Sequence, residues 1–214
     1  MNSISLHHVV PQVFAQNTQL KSEIWNNDIS FEKGKKYLVV ADSGQGKSSL
    51  CGFLMGYRRD YDGEITFDTT NIRQLTINDW CNVRQQHMAY LFQEMRLFPE
   101  LTARENVEIK NILSESVTDE QIASWFKRLG IEDKKDAKVG HMSFGQQQRV
   151  GLIRALAQPF DFLLLDEPIS HLDDGNAAVM AEVMMEEVER KGAAVIVTSI
   201  GKHMMLDYDK TLHL

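Results

Sequence analysis

A glycine-rich loop that follows a short apolar run constrains the fold of this chain more than any other feature. Residues 37–41 form the apolar run, and the loop after it carries Gly44, Gly46, Lys47 and Ser48. Glycines allow successive backbone N–H groups to turn inward around phosphate oxygens, and a helix that starts there adds partial positive charge. The pattern therefore predicts a phosphate-binding loop between a buried strand and a helix, with Lys47 reaching terminal phosphates and Ser48 ligating Mg²⁺.

The loop departs from the usual spacing G-x-x-x-x-G-K-[ST] at its first position, which is Ala41 in this chain. A methyl group is tolerated there if the backbone is strand-like and is costly if φ is positive. An ordinary strand–turn–helix is the alternative interpretation. The apolar run before the loop and the helical pattern after it favour phosphate binding, and we include Ser43, Gln45 and Ser49 in the predicted nucleotide-binding segment.

A second apolar run, residues 160–165, ends in two acidic residues, Asp166 and Glu167. A buried strand that delivers carboxylates at its C-terminal end is how a parallel sheet places groups beside a ligand. We expect Asp166 to hold Mg²⁺ through water and Glu167 to orient or polarise an attacking water molecule. A strand that simply ends in solvated acids is the alternative, and the upstream loop makes it the weaker one.

The remaining pattern alternates strands with helices and predicts one α/β domain over residues 1–214 with a mainly parallel sheet. The helical spacing at 102–112 and 118–129 predicts a helical subdomain inserted at about 94–154, with Thr118 and Gln121 as a possible capping box. Gly63 predicts a turn that leads into a strand. The other expected elements are strands at 4–9, 29–31 and 193–198 and helices at 47–56 and 175–191.

Composition limits the possible environment and partners. The formal net charge of -7 disfavours general binding to nucleic acid, because that binding depends on neutralising phosphates. Two cysteines provide no disulfide framework, and no apolar run approaches the ~18–20 residues of a membrane span. The N-terminal segment lacks the pattern of a signal peptide. We therefore expect a cytoplasmic chain that reaches a membrane only through a partner.

The segment MSFGQQQR, residues 142–149, decides among P-loop families. Ser143 could simply cap the helix that follows. The segment also resembles the signature sequence of ABC ATPases, usually written L-S-G-G-Q-Q-Q-R. Gln93 and the segment 170–173 match further motifs of that family in the same order, and Phe14 lies where an aromatic residue often stacks on adenine, although it could equally be core. The surroundings of Gln93 look most like the lipoprotein-releasing, macrolide-export and cell-division branch.

The resemblance implies a P-loop core with a small antiparallel β subdomain and an inserted helical subdomain. It also implies ATP and Mg²⁺ as ligands, with Gln93 sensing both the metal and the γ-phosphate. Two nucleotide-binding domains would meet head to tail, so that Ser143, Gly145 and Gln146 of one face the phosphate loop of the other. A transmembrane permease subunit would hold the protein at the inner face of the cell membrane.

Two further departures concern catalysis. Phe144 replaces the first glycine of the signature, and Ile200 stands where the family has a histidine that contacts the γ-phosphate. Because isoleucine cannot form a hydrogen bond, that contact is lost, and His203 lies too far along the chain to be assigned the role. We therefore expect a chain that binds nucleotide and hydrolyses it slowly.

Two alternative functions compete with a transporter subunit. An ABC-type protein that uses ATP as a conformational switch, with negligible hydrolysis, gains weight from Phe144 and Ile200. A P-loop kinase or GTPase would not explain residues 143–149 or Gln93. The sequence leaves open the transported substrate, the direction of transport and whether the chain pairs with itself or with a related cassette.

Overall fold

Two sheets form the centre of the protein, for which a computed structural model describes residues 1–17 and 21–214. One sheet has five parallel strands in the order β6-β7-β8-β3-β9, and the other has four antiparallel strands in the order β2-β1-β4-β5. The strands are β1 (Ser3–Pro11), β2 (Asp28–Glu32), β3 (Lys36–Val40), β4 (Tyr61–Phe67), β5 (Thr70–Asn71), β6 (Met88–Leu91), β7 (Phe162–Asp166), β8 (Ala194–Ser199) and β9 (Lys210–His213).

The helices connect these strands and cover the parallel sheet. They are α1 (Lys47–Leu54), α2 (Ile77–Asn82), α3 (Ala103–Asn111), α4 (Asp119–Arg128), α5 (Phe144–Leu156) and α6 (Asp174–Lys191), with a π-helical turn at Val83–His87 after α2. The α/β class, the mainly parallel sheet and the small antiparallel sheet confirm the fold expected from the sequence.

Strand β7 shows why its sequence is a continuous apolar run. Phe162 and Leu164 belong to the core shared with the antiparallel sheet, whereas Leu163 and Leu165 belong to the core shared with the helices. All five residues of β7 are buried, because the strand is covered on both faces. The parallel sheet therefore lies between two hydrophobic cores and holds the end of β7 in a fixed position.

The prediction that Gly63 forms a turn before a strand is wrong. Strand β4 begins at Tyr61, so Gly63 lies inside it, with φ of 89°. The facing strand β1 changes register between His7 and Val10, and a Cβ on Gly63 would lie 2.4 Å from the carbonyl oxygen of His8. Glycine is required there because a bulge brings two backbones together.

Helices α3 and α4 begin at threonine caps. Thr102 and Glu105 form a complete capping box, whereas at Thr118 the hydroxyl accepts the Gln121 N–H without a reciprocal bond from the glutamine. The predicted box at Thr118 is therefore only half formed. Helices α3, α4 and most of α5 lie within the 94–154 segment, whose identity as a separate subdomain stays a prediction.

No helix in residues 1–17 and 21–214 is both long and apolar enough to cross a membrane.

Candidate nucleotide-binding site

The glycine-rich loop joins β3 to α1 in the conformation that its glycines make possible. Gly44 and Gly46 have φ of 82° and 98°, and α1 begins at Lys47. Gly46 also lies against two aromatic side chains: a Cβ there would be 3.1 Å from the Trp25 ring and 3.2 Å from the Phe14 ring. The loop therefore needs glycine at position 46 for its backbone angle and for space.

Ala41 does not strain the loop. Its backbone N–H donates a 3.2 Å hydrogen bond to the Ser199 carbonyl at the end of β8, and its φ is not positive. The residue thus continues strand-like backbone, where a methyl group is acceptable. The departure from the usual spacing leaves the phosphate loop intact.

The Lys47 ammonium is buried inside the loop. Nζ donates to the carbonyl oxygens of Ala41, at 3.0 Å, and Asp42, at 2.9 Å. Burial lowers the pKa of Lys47, and the nearby carboxylates of Glu167 and Asp166 oppose that shift. A partly dehydrated ammonium bound only by carbonyls is well suited to transfer its hydrogen bonds to phosphate oxygens.

Asp166 ends β7 and is held by three hydroxyl groups. Oδ2 accepts from Ser48 Oγ at 3.1 Å and from the Tyr90 hydroxyl at 3.2 Å, and Oδ1 accepts from Thr198 Oγ1 at 2.5 Å. The residue is only 2% exposed, so these bonds replace the water that a carboxylate otherwise requires. The structure brings Asp166 and Ser48 together, and their predicted role as metal ligands stays a prediction; Tyr90 and Thr198 were not predicted.

Glu167 has an unusual backbone conformation for a residue with a side chain. Its φ is 50°, and its N–H donates a 3.1 Å bond to the Thr198 carbonyl. Non-glycine residues rarely occupy this region unless the surroundings impose it. Burial raises the pKa of Glu167, Lys47 opposes the shift and Asp166 adds to it, so the carboxylate is a better proton acceptor than a solvated one.

The loop and Glu167 line one open cleft, and Asp166 lies next to it, hydrogen-bonded to Ser48. Eight of the predicted site residues line it, and Ile200, 43% exposed, is at its edge. The eight are Ser43, Gly44, Gly46, Lys47, Ser48, Ser49, Gln93 and Glu167. The structure therefore brings together residues from three distant segments of the chain, with an isoleucine where a histidine was expected.

The signature-like segment does not line this cleft. Ser143 and Gln146 form a capping box at the start of α5, so the capping role considered from the sequence is present. A Cβ on Gly145 would lie 3.1 Å from the His171 carbonyl, and the exposed Phe144 ring is 5.2 Å from the His171 ring. Ser143, Gly145 and Gln146 therefore present a separate surface next to His171.

Helix α5 is nevertheless connected to the cleft through Gln148. Its amide Nε2 donates a 3.2 Å hydrogen bond to the Glu167 carbonyl, while its buried Oε1 has no partner among the described residues. Gln148 is nearly inaccessible to solvent, and its hydrogen bond holds the backbone of Glu167. A glutamine in a polar helical run gave no sequence signal for this contact.

Comparison with known proteins shows the family to which the chain belongs. A family model described as "ABC transporter" matches residues 25–170, which include the phosphate loop, the α5 segment and both acids. The chain belongs to the ABC transporter family. Membership excludes the alternative of a P-loop kinase or GTPase, and the role of Gln93, which lines the cleft, stays a prediction.

Three relatives indicate the branch. The cassette is 27% identical to the lipoprotein-releasing system ATP-binding protein LolD of Legionella pneumophila, over 87% of this chain and 84% of that one. It is 30% identical to the ABC transporter ATP-binding protein YtrE of Bacillus subtilis, over 79% of this chain and 74% of that one. The macrolide export protein MacB of Escherichia coli is 29% identical over 89% of this chain, which spans only 30% of MacB. These relatives confirm the predicted branch.

Solved structures agree with this assignment. The dimeric bacterial ABC transporter cassette MJ0796 has a TM-score of 0.77 at 26% identity, covering 92% of this chain and 87% of that one. A dimer of MJ0796 in a post-hydrolysis state bound to ADP and Pi has a TM-score of 0.76 at 25% identity, with the same coverage of both chains.

Trp25 is a positioning residue of this ABC cassette that sequence reasoning missed. Its indole Nε1 donates a 3.1 Å hydrogen bond to the Gln45 carbonyl, and its ring covers Gly46 beside Phe14. The buried indole therefore fixes the phosphate loop at Gln45 and Gly46. Phe14 lies at the loop, but its predicted contact with adenine stays a prediction.

Replacing Trp25 by Phe is expected to weaken ATP binding by about two- to ten-fold, because the loop loses one buried hydrogen bond while the aromatic packing is kept. Titration calorimetry would measure the Kd. Trp80→Phe is a matched control, since Trp80 Nε1 has no hydrogen-bond partner in the part of the chain that the structure describes. Equal Kd values for both variants would show that the indole bond does not position the loop.

Proposed function

We propose that this ABC protein binds ATP with Mg²⁺, hydrolyses it and drives a separate transmembrane subunit. The proposal rests chiefly on one observation: Lys47, Ser48, Gln93 and Glu167 line the same cleft, with Asp166 hydrogen-bonded to Ser48 at its base. An ammonium, a hydroxyl and two carboxylates at a phosphate loop are the groups that phosphoryl transfer requires.

The donor set fits Mg²⁺. Ser48, Gln93 and Asp166 offer only oxygen ligands, which a hard cation prefers. Within residues 1–17 and 21–214 there is no cluster of three or more His, Cys, Asp or Glu residues that could hold a metal alone. Mg²⁺ commonly binds through one carboxylate together with substrate phosphates and water, and it would neutralise developing charge on those phosphates.

Each of the remaining groups has a separate task. Lys47 holds the terminal phosphate oxygens, and backbone N–H groups of the loop between Ser43 and Ser49 surround the others. Glu167 accepts a proton from, or orients, the attacking water molecule. Phe14 offers an aromatic face near the loop against which adenine can stack.

The signature-like segment acts on a second cassette in this proposal. Ser143, Gly145 and Gln146 are outside the cleft of their own chain, so they can reach nucleotide only in a neighbouring subunit. The dimeric form of the similar cassette MJ0796 supports this arrangement. The neighbour is a second copy or a related cassette.

A membrane partner follows from the relatives. LolD is named for a lipoprotein-releasing system, and MacB is an ATP-binding and permease protein in one chain. By analogy, this cassette supplies the ATP-binding part at the inner face of the cell membrane, and a permease subunit selects the substrate. The residues of the cassette itself do not identify that substrate.

Ile200 favours a second candidate, a conformational switch. The Ile200 side chain lines the cleft and has no group that can form a hydrogen bond with the γ-phosphate. Phe144 adds a bulky ring to the surface that, in this proposal, contacts a neighbouring cassette. In that case ATP would still close the dimer through Lys47 and Ser48, with negligible turnover.

Hydrolysis of Mg²⁺-ATP by the purified chain tests the proposal. We expect turnover per molecule to rise with protein concentration, because a complete site needs two cassettes. Lys47→Ala should abolish turnover and weaken ATP binding by about ten-fold or more, since a charge-assisted contact to phosphate is lost. Binding of ATP without turnover at any concentration would favour the switch, and absence of ATP binding would refute both functions.

A further inference from the structure

The Tyr90 hydroxyl lies among the residues that would hold Mg²⁺, although it belongs to none of the sequence motifs of the site. Ser48, Gln93 and Asp166 line a cleft that adjoins the phosphate loop, and Tyr90 lines the same cleft. The hydroxyl donates a 3.2 Å hydrogen bond to Asp166 Oδ2. Tyr90 can therefore act on a metal ligand without being a ligand itself.

The parallel sheet explains how Tyr90 reaches Asp166. Tyr90 in β6 is paired with Leu164 in β7, and Asp166 lies two residues further along β7. Side chains two residues apart in a strand lie on the same face, so Tyr90 and Asp166 share one face of the sheet. Thr198 in β8 is paired with Asp166 on its other side, and Ser48 comes from α1. Donors from three separate elements thus meet at one carboxylate.

The three hydroxyl groups leave little of the Asp166 carboxylate free. An ionised carboxylate accepts hydrogen bonds at about four positions, two on each oxygen. Tyr90 and Ser48 both donate to Oδ2, whereas Thr198 donates to Oδ1. About one position therefore remains, on Oδ1, for a further contact. The orientation of the carboxylate is set by groups of the fold before any metal binds.

Packing keeps the Tyr90 hydroxyl in its place. The Tyr90 ring centroid lies 4.0 Å from that of Phe92, and the ring packs against the core that contains Leu164. Burial raises the pKa of Tyr90, and the nearby acidic groups of Cys51 and Asp166 raise it further. The hydroxyl thus keeps its proton and stays a donor at a fixed position.

We propose that Tyr90 is a positioning residue for the metal, because its hydroxyl holds the Asp166 carboxylate in the orientation that Mg²⁺ binding requires. The inference rests on the proposed function, since it concerns the same site. Groups that form hydrogen bonds with a metal-binding carboxylate orient it, and their loss commonly lowers metal affinity by about 10- to 100-fold. Mg²⁺ is sensitive to such a loss because it demands near-ideal octahedral geometry.

Two other roles of the hydroxyl lead to different results. A purely structural role requires only that a buried hydroxyl finds an acceptor, and its removal would lower stability without changing the contribution of the metal. A competing role is the second case, in which the hydroxyl occupies a position on Oδ2 that the metal would otherwise use. Its removal would then strengthen metal binding.

Calorimetric titration of the full chain with a non-hydrolysable ATP analogue, once with Mg²⁺ and once with EDTA, tests the inference. The ratio of the two Kd values measures the coupling between metal and nucleotide. Tyr90→Phe keeps the ring and removes only the hydroxyl. We expect this variant to bind the analogue about ten-fold more weakly with Mg²⁺ and within about two-fold of the wild type with EDTA.

Tyr37→Phe is the matched control. The Tyr37 hydroxyl accepts a 2.8 Å hydrogen bond from the Glu32 N–H, so this variant also loses one hydroxyl and one hydrogen bond. Because Tyr37 does not line either cleft, both of its Kd values should stay within about two-fold of the wild type. Thermal unfolding of the two variants reports any difference in stability. Tyr90→Met, which also lacks the hydroxyl, replaces Tyr90→Phe if the latter does not fold.

Three results would overturn the inference: the same Kd ratio in Tyr90→Phe and the wild type, tighter binding by the variant with Mg²⁺, or an equal change of the ratio in Tyr37→Phe. Failure of the proposed function is distinguishable from these. A wild-type chain that does not bind the analogue under either condition would refute the function and the inference together. Binding by the wild type with a Kd ratio of one would refute the metal site and the role of Tyr90, and would leave nucleotide binding standing.

Discussion

Replacing Glu167 by Gln is expected to lower ATP turnover by about 10²–10⁴-fold, because the amide cannot accept a proton from the attacking water molecule. Gln is nearly isosteric with Glu, so the backbone bonds from Glu167 to Thr198 and from Gln148 to Glu167 can remain. ATP binding, which depends on Lys47 and the loop, should stay within a few-fold of the wild type. Steady-state phosphate release and calorimetric Kd values would measure the two effects.

Glu189→Gln is the control for this change, because Glu189 lies on the exposed face of α6 and forms no ion pair with any residue of the 1–17 and 21–214 ranges. It should leave turnover unchanged. A Glu167→Gln protein that hydrolyses ATP at the wild-type rate would mean that another group activates the water. Since Glu167 has a raised pKa from burial, the acid limb of the wild-type pH–rate profile should also lie above the range of a solvated carboxylate.

Replacing Ile200 by His is expected to raise turnover by about ten- to a thousand-fold, the opposite of what most substitutions in a catalytic cleft do. Ile200 is 43% exposed and lines the cleft with Lys47 and Glu167, so a ring at that position has space to reach the γ-phosphate. The imidazole would supply one hydrogen-bond donor that the isoleucine lacks. Single-turnover hydrolysis at saturating ATP would report the chemical step.

Ile200→Leu separates donor chemistry from shape, because leucine has the same volume and no polar atom. It should hydrolyse ATP at the wild-type rate. If the histidine variant were no faster than the leucine variant, the missing donor would not limit hydrolysis, and Phe144 at the surface next to His171 would become the next residue to replace by glycine.

Local signals in the sequence predicted most of the fold. Residues 37–41 and 160–165 read as buried strands because each is apolar throughout, and β3 and β7 lie there with shifts of one or two residues. Strands β6 and β9 and helix α2 are short and were missed, since four to six residues carry too little periodicity. The turn predicted at Gly63 was wrong because the residue lies in a β-bulge, and a bulge is set by the register of the facing strand β1.

In the candidate site, too, the residues that belong to local motifs were predicted, and those that contribute through long-range contacts were not. Lys47, Ser48, Asp166 and Glu167 were predicted because each belongs to a motif that spans only a few consecutive residues. Tyr90 contributes to Asp166 across 76 positions, and Trp25 reaches Gln45 across 20, so no local pattern could indicate either bond.

Strand β8 and the residue that follows it, Ile200, contribute to the site in two separate ways. The strand itself holds the Asp166 carboxylate and the start of the glycine-rich loop, since Thr198 Oγ1 donates to Asp166 and the Ser199 carbonyl accepts the Ala41 N–H. The residue that follows the strand, Ile200, is exposed and takes part in neither bond. A substitution at position 200 is therefore expected to change the rate of hydrolysis while the fold around Asp166 and the loop stays the same.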